Sequence, residues 1–415
     1  MKEDFRIRAV TSFLTLKPED FQSGRTKKRR ADNESTSQHS PLETKISKYA
    51  TFLKQTEQTL KDAGYEVQTL RIATNPFGEY LNPGAIKDQL SELDETLKTF
   101  QIEFFALGPA TDATEILCCP EIVSTSHRLS CSVDLSPDDF EMARKAAECM
   151  KRISELDNAP HVRNGLGNFQ FCASACCKPY TPFFPCARSA SAKTLSSSSE
   201  EEVIHFSLGL ENGKLATRLL GETKSIDKIS TTFKNGMTEA LTPLSKLCET
   251  IASESNDTIK FEGIDTSLNP SLDAGGSVAA AIEQIDVVST FGGTGSVAAA
   301  AEITKALKSL PGIQNVGYSG LMLPVCEDRR LAELELDTTR LLGISSVCGV
   351  GLDTVPVSGF ASVEGLMGLV LDVASLAFRY EKSLSCRLLL CPGQKGGDEA
   401  KFNSPYLCDC KIFDV

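Results

Sequence analysis

The sequence predicts an α/β protein that forms one integrated domain over residues 1–415. Three observations favour this class. Short apolar runs of strand composition alternate with longer runs of helical spacing. The last third of the chain carries several glycine-punctuated apolar blocks. The sequence has no short-period repeat of the kind that would indicate a solenoid. Alternating strands and helices are typical of a largely parallel sheet. The alternative is a division into two units near residues 200–225.

Composition excludes several classes of protein. The 415 residues are 41% hydrophobic and 24% charged, as in ordinary globular enzymes. A net charge of −12, from 43 basic and 55 acidic residues, disfavours nucleic acid as a partner. The start MKEDFRIRAV lacks a signal peptide's apolar core, and no run approaches the roughly 18 apolar residues of a membrane span. We therefore expect a cytoplasmic protein with no membrane contact, whose 15 cysteines are mostly reduced.

The chain opens with a strand, FRIRAVTSFLTL over 5–16. A polar stretch at 22–41 follows and is expected to be a disordered insertion, because it has almost no apolar residues. Its basic run from Arg25 to Arg30 permits three interpretations: a nuclear import signal, a phosphate-binding patch or a solvated loop.

Helical spacing predicts the first helix over 42–63, with Gly64 at the position that ends a helix. A strand, a helix and a second strand are expected next, over 65–74, 85–99 and 102–107. Gly108 and Pro109 are expected to close that second strand. This order is typical of an α/β unit.

The middle of the chain continues the alternation. A helix is predicted over 136–156, with Ser136 as its cap, and FQFCASACC is predicted to be a strand. A second disordered insertion is expected at 189–202, because that segment is rich in serine and ends in acidic residues. The strand IHFSLGL and a long helix over about 225–252 follow.

The cysteine-rich segment FCASACCKPYTPFFPCA invites a metal-site interpretation. The spacing does not match paired CxxC knuckles, so Cys172, Cys176, Cys177 and Cys186 are interpreted as structural thiols. The four histidines lack metal-pair spacing, and no metal site is predicted. The loop after the cysteines carries Phe183, which is expected to cover a pocket and contact a ligand.

Two glycine loops lead into predicted helices. FGGTGSVAAAAE at 291–302 offers free backbone N–H groups and the positive end of a helix dipole, so Gly293, Gly295 and Ser296 are candidates to bind an anion. DAGGSVAAAIE at 273–283 nearly repeats it. Plain helix capping is the alternative for each loop. Neither matches a nucleotide-binding fingerprint.

The candidate catalytic residues lie in the other glycine-punctuated blocks. Cys348 in SSVCGVGLDTV is expected at an exposed turn whose N–H groups favour a thiolate, with a buried cysteine as the alternative. Proton-transfer roles are predicted for Asp265, Glu327 and Asp353, and helix or turn capping is the alternative for the last two and for Asp328. The block GYSGLMLPVCED adds Ser319 and Gly320 as candidate ligand contacts.

These blocks resemble a known family. GIDTSLNP, GGTGSVAA, GYSGLMLPVCED, VCGVGLDTVPV and CPGQKGGD are similar to segments of domain-of-unknown-function family 711, also called uncharacterised protein family 0210. The resemblance covers about nine tenths of the chain and leaves out 22–41 and 189–202.

The resemblance implies one large α/β barrel related to pyruvate formate-lyase, in a homodimer, with Cys348 on a loop that enters the barrel. The C-terminal tail does not match the glycine motif of the glycyl radical enzymes, so their radical chemistry is not expected here. In bacteria, neighbouring genes of ACT-domain proteins point to amino-acid metabolism.

Two functions follow. The first is an enzyme of unknown reaction that acts on a small anionic metabolite in a barrel pocket. The alternative is a non-catalytic binding or regulatory protein. No cofactor is predicted by the sequence.

Overall fold

A computed structural model describes residues 2–25, 39–194 and 203–415. Within these ranges the main sheet has nine strands. They are β1 Arg6–Leu14, β2 Leu70–Thr74, β3 Phe104–Ala110, β4 Leu129–Leu135, β5 Phe171–Ala175, β6 Ile204–Glu211, β7 Ile259–Asp265, β8 Gly351–Ser358 and β9 Leu384–Cys391. A separate small hairpin pairs β10 Glu399–Ala400 with β11 Cys410–Lys411.

The main sheet consists of a central parallel block of five strands and two outer parallel pairs that run in the opposite direction. Its strand order is β7-β6-β1-β2-β3-β4-β5-β9-β8. Strands β1 to β5 are parallel to one another, as are β6 with β7 and β8 with β9. Antiparallel pairs, β1 with β6 and β5 with β9, join the blocks. The amino ends of β1 to β5 therefore lie at the same edge as the carboxyl ends of β6 to β9.

The segment after β7 contacts both outer strands of this sheet. Single parallel bridges pair Ile264 of β7 with Asn315 and Leu268 with Leu321, and a third pairs Pro324 with Asp353 of β8. The expected mixed α/β fold with a mainly parallel sheet is confirmed. Closure into a barrel stays a prediction.

Helices connect the strands. They are α1 Pro41–Asp62, α2 Ile86–Phe100, α3 Cys119–Thr125, α4 Phe140–Ser154, α5 Gly213–Glu222, α6 Ile226–Ser253, α7 Val278–Ile282, α8 Ser296–Leu307, α9 Arg329–Glu333, α10 Thr338–Ser345 and α11 Val363–Tyr380. No helix in the described ranges is both long and apolar enough to cross a bilayer.

The two faces of β1 to β5 differ in chemistry. One face carries Ile72, Phe105 and Val133 into the large apolar core that includes the helices. The opposite face carries arginines, small residues and hydroxyls, and the segment 176–194 crosses it. Thr11 of β1 donates a hydrogen bond to the Pro182 carbonyl of that segment over 2.9 Å. The alternation of strand side chains therefore separates a helix-covered core from a polar interior.

Several sequence expectations at element ends needed correction. Helix α4 begins at Phe140 and is capped by Asp139, which accepts from the Met142 N–H, instead of Ser136. Strand β3 runs through Gly108 and Pro109 to Ala110. Strand β4 was not predicted, because LSCSVDL holds a single β-branched residue and alternates small polar side chains with apolar ones.

The two predicted insertions are only partly within the described residues. Residues 26–38, which hold most of the basic run, and residues 195–202 lie outside them. The start of the second insertion is packed into the fold, because the Ser189 N–H donates to the Thr74 carbonyl and the Ala192 N–H donates to Glu79, both over 2.9 Å. The predicted disordered segment therefore does not begin at 189.

Candidate functional site

A cavity of about 410 Å³ lies on the polar face of the sheet, at the amino ends of β1 to β5. Residues from seven strands line it, together with the segment 269–273 after β7, Glu327, and parts of the loop 176–194. Of the candidate catalytic and ligand-contact residues predicted from the sequence, Phe183, Glu327 and Asp353 line this cavity, and so does Cys186, which was interpreted as a structural thiol. The volume suits a small organic molecule.

A chain of seven charged side chains of alternating sign runs along the cavity. Its order is Asp273, Arg6, Glu211, Arg8, Glu327, Arg387 and Asp353. Consecutive nitrogen–oxygen distances lie between 2.6 and 3.3 Å. Strands β1, β6, β8 and β9 contribute to it, so the charge network connects the central block of the sheet with both outer pairs.

Glu327 is the centre of this network. Its two carboxylate oxygens accept hydrogen bonds from Arg8 and Arg387, each over 3.1 Å. Burial raises the pKa of Glu327, while Arg387 and Arg8 oppose that effect. Asp353 lies where β8 is irregular in its pairing with β9, and it accepts from the Arg387 Nε over 2.7 Å. Asp353 is thus an ion-paired strand residue instead of a helix or turn cap.

Arg387 is buried between the two carboxylates and an aromatic ring. Burial opposes its charge, but Asp353 and Glu327 together raise its pKa above the ordinary value. Its guanidinium lies 4.8 Å from the centre of the Phe169 ring. A buried charge of this kind is tolerated because it is paired and hydrogen-bonded.

Arg71 differs from the other arginines that line the cavity. Its Nε donates to Thr69 over 2.8 Å, and its guanidinium lies 5.0 and 5.2 Å from the ring centres of Phe104 and Phe184. Within the described part of the chain it pairs with no carboxylate within salt-bridge distance. Burial, and then the neighbouring Arg8, lower its pKa to about 9. A buried, oriented and unpaired guanidinium matches a carboxylate or phosphate group.

Cys348 does not lie at an exposed turn. It is 1% exposed and belongs to the apolar core, and burial raises its pKa to about 11. The expectation of exposure is wrong: the Lys382 ammonium, in the connection between α11 and β9, donates to the carbonyls of Ser346 and Cys348 over 2.9 and 2.6 Å and holds this turn against the fold. Cys348 does not line the cavity, so a thiolate there has no support from this geometry.

The predicted anion loop before α8 also lies outside the cavity. Ser296 accepts a hydrogen bond from the Gly292 N–H over 3.0 Å, so its hydroxyl braces the loop. The Phe291 N–H donates to Glu283 over 2.8 Å. At Gly295, with φ of 87°, a Cβ would meet the Val287 carbonyl at 2.1 Å. Gly293, Gly295 and Ser296 thus form a close-packed helix start.

Asp265 is a buried clamp. Its carboxylate accepts from the Ser267 hydroxyl over 2.6 Å and from the backbone N–H groups of Tyr318 and Ser319 over 2.9 and 3.0 Å. Burial raises its pKa, and these hydrogen bonds oppose the rise. Asp265, Ser319 and Gly320 are not part of the cavity wall. They position the neighbouring Tyr318, which does line the cavity.

Asp328 has the capping role that was the alternative to proton transfer. It accepts from the N–H groups of Arg330 and Leu331 at the start of α9. It also accepts from those of Val278 and Ala279 at the start of α7, over 2.9 and 3.2 Å. One carboxylate therefore holds two helix starts together.

Sequence reasoning missed the arginines. Arg6, Arg8, Arg71 and Arg387 each interrupt an otherwise apolar strand, as in FRIRAV, LRIAT and SCRLLLC. Charged residues in buried strands are rare unless they are paired or functional. The isolated arginines are thus a signal in the sequence itself. The prediction instead placed the catalytic residues in the glycine-punctuated blocks of the last third of the chain.

The described residues include no group of three or more histidine, cysteine or acidic side chains placed to hold a metal ion.

Comparisons with known proteins place the chain in a family. A family model described as "Uncharacterised ACR (DUF711)" matches residues 1–403. A UPF0210 protein of Oenococcus oeni is 26% identical over an alignment of 427 positions, gaps included, that covers 97% of this chain and 89% of the relative. A UPF0210 protein of Limosilactobacillus reuteri is 24% identical over 396 aligned positions that cover 89% of this chain and 85% of the relative.

Among solved structures, the anaerobic ribonucleotide reductase from Thermotoga maritima in complex with dATP and CTP is similar with a TM-score of 0.34 and 9% identity. The match covers 92% of this chain and 74% of the reductase, but a TM-score this low carries no argument. The match over residues 1–403 decides the assignment: the chain belongs to the DUF711 family.

Proposed function

We propose that this protein is an enzyme that acts on a small organic anion bound in the arginine-lined cavity. The observation that carries the proposal is Arg71, a buried guanidinium held between two aromatic rings without a carboxylate partner among the described residues. A bound carboxylate or phosphate would relieve the electrostatic cost of this charge, which Arg8 increases.

The cavity wall also supports an organic body on the anion. Phe104, Phe169, Phe183 and Phe184 line the cavity beside the charge network, with Tyr318 and Met322. Flat apolar side chains bury carbon and exclude water, while a few charged groups fix orientation. The substrate class is thus a carboxylate or phosphate attached to a small apolar or planar group.

Glu327 and Asp353 are the proposed proton-transfer groups. Burial raises the pKa of Glu327, which moves it toward the neutral range where a general acid or base works best. Both carboxylates line the cavity and share Arg387. The residue set for this proposal is Arg71 for binding and Glu327 with Asp353 for proton transfer.

A binding assay tests the first part of the proposal. Thermal stabilisation of the purified chain is measured against a panel of small carboxylates and phosphates, with the tightest one used as probe. Arg71→Gln should weaken its affinity at least tenfold, and Arg71→Lys should restore part of the loss. Arg144→Gln is the matched control, because Arg144 forms an exposed ion pair with Glu364. Equal affinity in folded Arg71→Gln would contradict the proposal.

One observation favours the alternative, a non-catalytic binding protein: both proposed proton-transfer carboxylates are already ion-paired with arginine. Glu327→Gln separates the two functions. An enzyme should keep its affinity within about threefold and lose most turnover of the probe, whereas a binding protein has no turnover to lose.

We further propose that the sheet closes into one barrel related to pyruvate formate-lyase, within a single-domain homodimer. The bridges from 315–324 to β7 and β8 support closure, since they connect the two outer strands. Limited proteolysis tests the single domain, and light scattering of the purified chain tests the homodimer. The cytoplasmic location stays a prediction from the sequence.

A further inference from the structure

Three thiols and a phenol lie together on the polar face of the sheet. Cys172 of β5, Cys177, Cys186 and Tyr318 belong to one small buried cluster. The Cys172 and Cys186 sulfur atoms are 3.0 Å apart, and the Cys177 sulfur is 3.8 Å from the Tyr318 hydroxyl. Cys177 joins the face of Cys172 because β5 ends at Ala175 and Cys176 has a φ of 56°, which turns the chain.

The cluster opens into the cavity through a single thiol. Cys186 lines the cavity, and Cys172 and Cys177 do not. A second close thiol pair, Cys326 and Cys410, has its sulfur atoms 3.2 Å apart, and neither lines the cavity. The two pairs thus have nearly the same separation and differ in access.

The surroundings of Cys186 favour a nucleophilic sulfur. Hydrogen bonds from Cys172 and Cys177, aided by Tyr318 and Ser385, lower the pKa of Cys186 well below the ordinary value for a thiol. Burial raises the pKa of Cys172. The two pKa values shift in opposite directions, so Cys186 loses its proton more readily than Cys172, and an attacking thiolate is what thiol chemistry at a pair requires. At a separation of 3.0 Å, a short movement brings the sulfurs to the roughly 2.05 Å of a disulfide.

We propose that Cys186 and Cys172 form a dithiol redox site in the cavity wall, with a small hydroperoxide as its substrate. This site goes beyond the anion-binding function and does not rest on it.

The reaction balances with the groups present. The Cys186 thiolate attacks the peroxide, the O–O bond breaks, and an alcohol or water leaves with a proton from solvent, which gives a sulfenic acid on Cys186. The Cys172 sulfur then attacks the Cys186 sulfur, and the released hydroxide takes the Cys172 proton to leave as water. The two thiols lose two electrons and the peroxide gains them. Two molecules of a low-molecular-mass monothiol restore the dithiol by exchange: the first forms a mixed disulfide with one cysteine, and the second releases that cysteine and leaves with the first as their own disulfide, so that each supplies one electron.

Mass mapping of the full chain tests the site. The reduced protein is treated with tert-butyl hydroperoxide for increasing times, quenched with N-ethylmaleimide and digested without reductant. The peptide linkage of Cys172 to Cys186 should appear at least tenfold faster than that of Cys326 to Cys410. Equal rates, or faster linkage of Cys326 to Cys410, would overturn the proposal, since cavity access would then confer no reactivity.

Variants assign the two roles. Cys172→Ser should leave Cys186 as a sulfenic acid that dimedone captures, and Cys186→Ser should abolish peroxide consumption at this site. Cys410→Ser is the control and should leave the Cys172–Cys186 linkage unchanged. Circular dichroism checks folding of each variant, and the mapping of the unaltered chain does not depend on them. Dimedone capture on Cys172 in the Cys186→Ser variant, with none on Cys186 in the Cys172→Ser variant, would overturn the assignment.

Discussion

The arginine cavity and the glycine loop before α8 both offered an anion site, and of the two only the cavity holds a buried cation without a carboxylate partner among the described residues. In the loop, the N–H groups of Phe291 and Gly292 are bound by Glu283 and Ser296. Glu283 also adds a negative charge. In the cavity, Arg71 keeps the outer nitrogens of its guanidinium without a protein partner among the described residues. A glycine-rich helix start binds an anion only if its amides remain free.

The comparison also separates stability from binding. Glycines of the loop are required by packing, as the 2.1 Å approach to Val287 at Gly295 demonstrates. Burial of the cavity arginines is unfavourable because their charges lose hydration, and packing alone does not require charged residues there. Substitutions in the two regions should therefore have different signatures.

The largest effect is expected in the charge network. Arg387→Ala removes the cation between Glu327 and Asp353 and leaves two buried carboxylates without it. The free energy of unfolding, measured by urea denaturation, should fall by about 3–5 kcal/mol. Arg144→Ala, which removes an exposed ion pair, is the control and should change it little. A loss below about 1 kcal/mol for Arg387→Ala would mean that the network is well hydrated.

A smaller effect is expected in the glycine loop. Gly295→Ala adds a Cβ that meets the Val287 carbonyl and holds φ at 87°, so it should cost about 2–3 kcal/mol. Gly393→Ala is the matched control, because Gly393 has a φ of 74° with nothing within 4 Å of the added atom. Its cost should be only the backbone strain of about 1 kcal/mol. Affinity of folded Gly295→Ala for the anion probe should be unchanged, and a tenfold loss would return the loop to the binding site.

The smallest effect is expected at Cys348. With a pKa raised to about 11, roughly one thiol in ten thousand is ionised at neutral pH. Alkylation of Cys348 by iodoacetamide should therefore be slow at pH 7 and rise about tenfold for each pH unit up to that pKa. The partly exposed Cys176 is the internal control and should react faster at pH 7. Rapid labelling of Cys348 at neutral pH would restore it as a nucleophile candidate.

Much of the fold was predictable, because local patterns decide it. Helices α1, α2 and α6 and strands β1 and β6 lie where periodicity and end signals predicted them. Strand β4 was missed, since its small polar residues become strand-like only between two neighbouring strands. Glycine and serine blocks were also singled out, and in one of them Gly295 is closely packed and Ser296 braces the loop.

The candidate site was less predictable. Phe183, Glu327 and Asp353 were found because each stands near a conspicuous loop or turn motif. Arg8, Arg71 and Arg387 are separated by more than 60 and more than 300 residues along the chain, and no local motif joins them. The one sequence signal for these arginines is that each stands alone within an otherwise apolar strand.

The sequence by itself determined the family, the α/β class and the order of most strands and helices, because composition and periodicity act over a few residues at a time. The tertiary structure alone decided which side chains meet. The central parallel block and the oppositely directed outer pairs bring Arg8 and Arg387 within hydrogen-bond distance of Glu327. They leave Arg71 without a carboxylate partner among the described residues. No local pattern encodes that these four residues, which are far apart in the chain, are buried close to one another. Their proximity in a buried setting gives the cavity its charge.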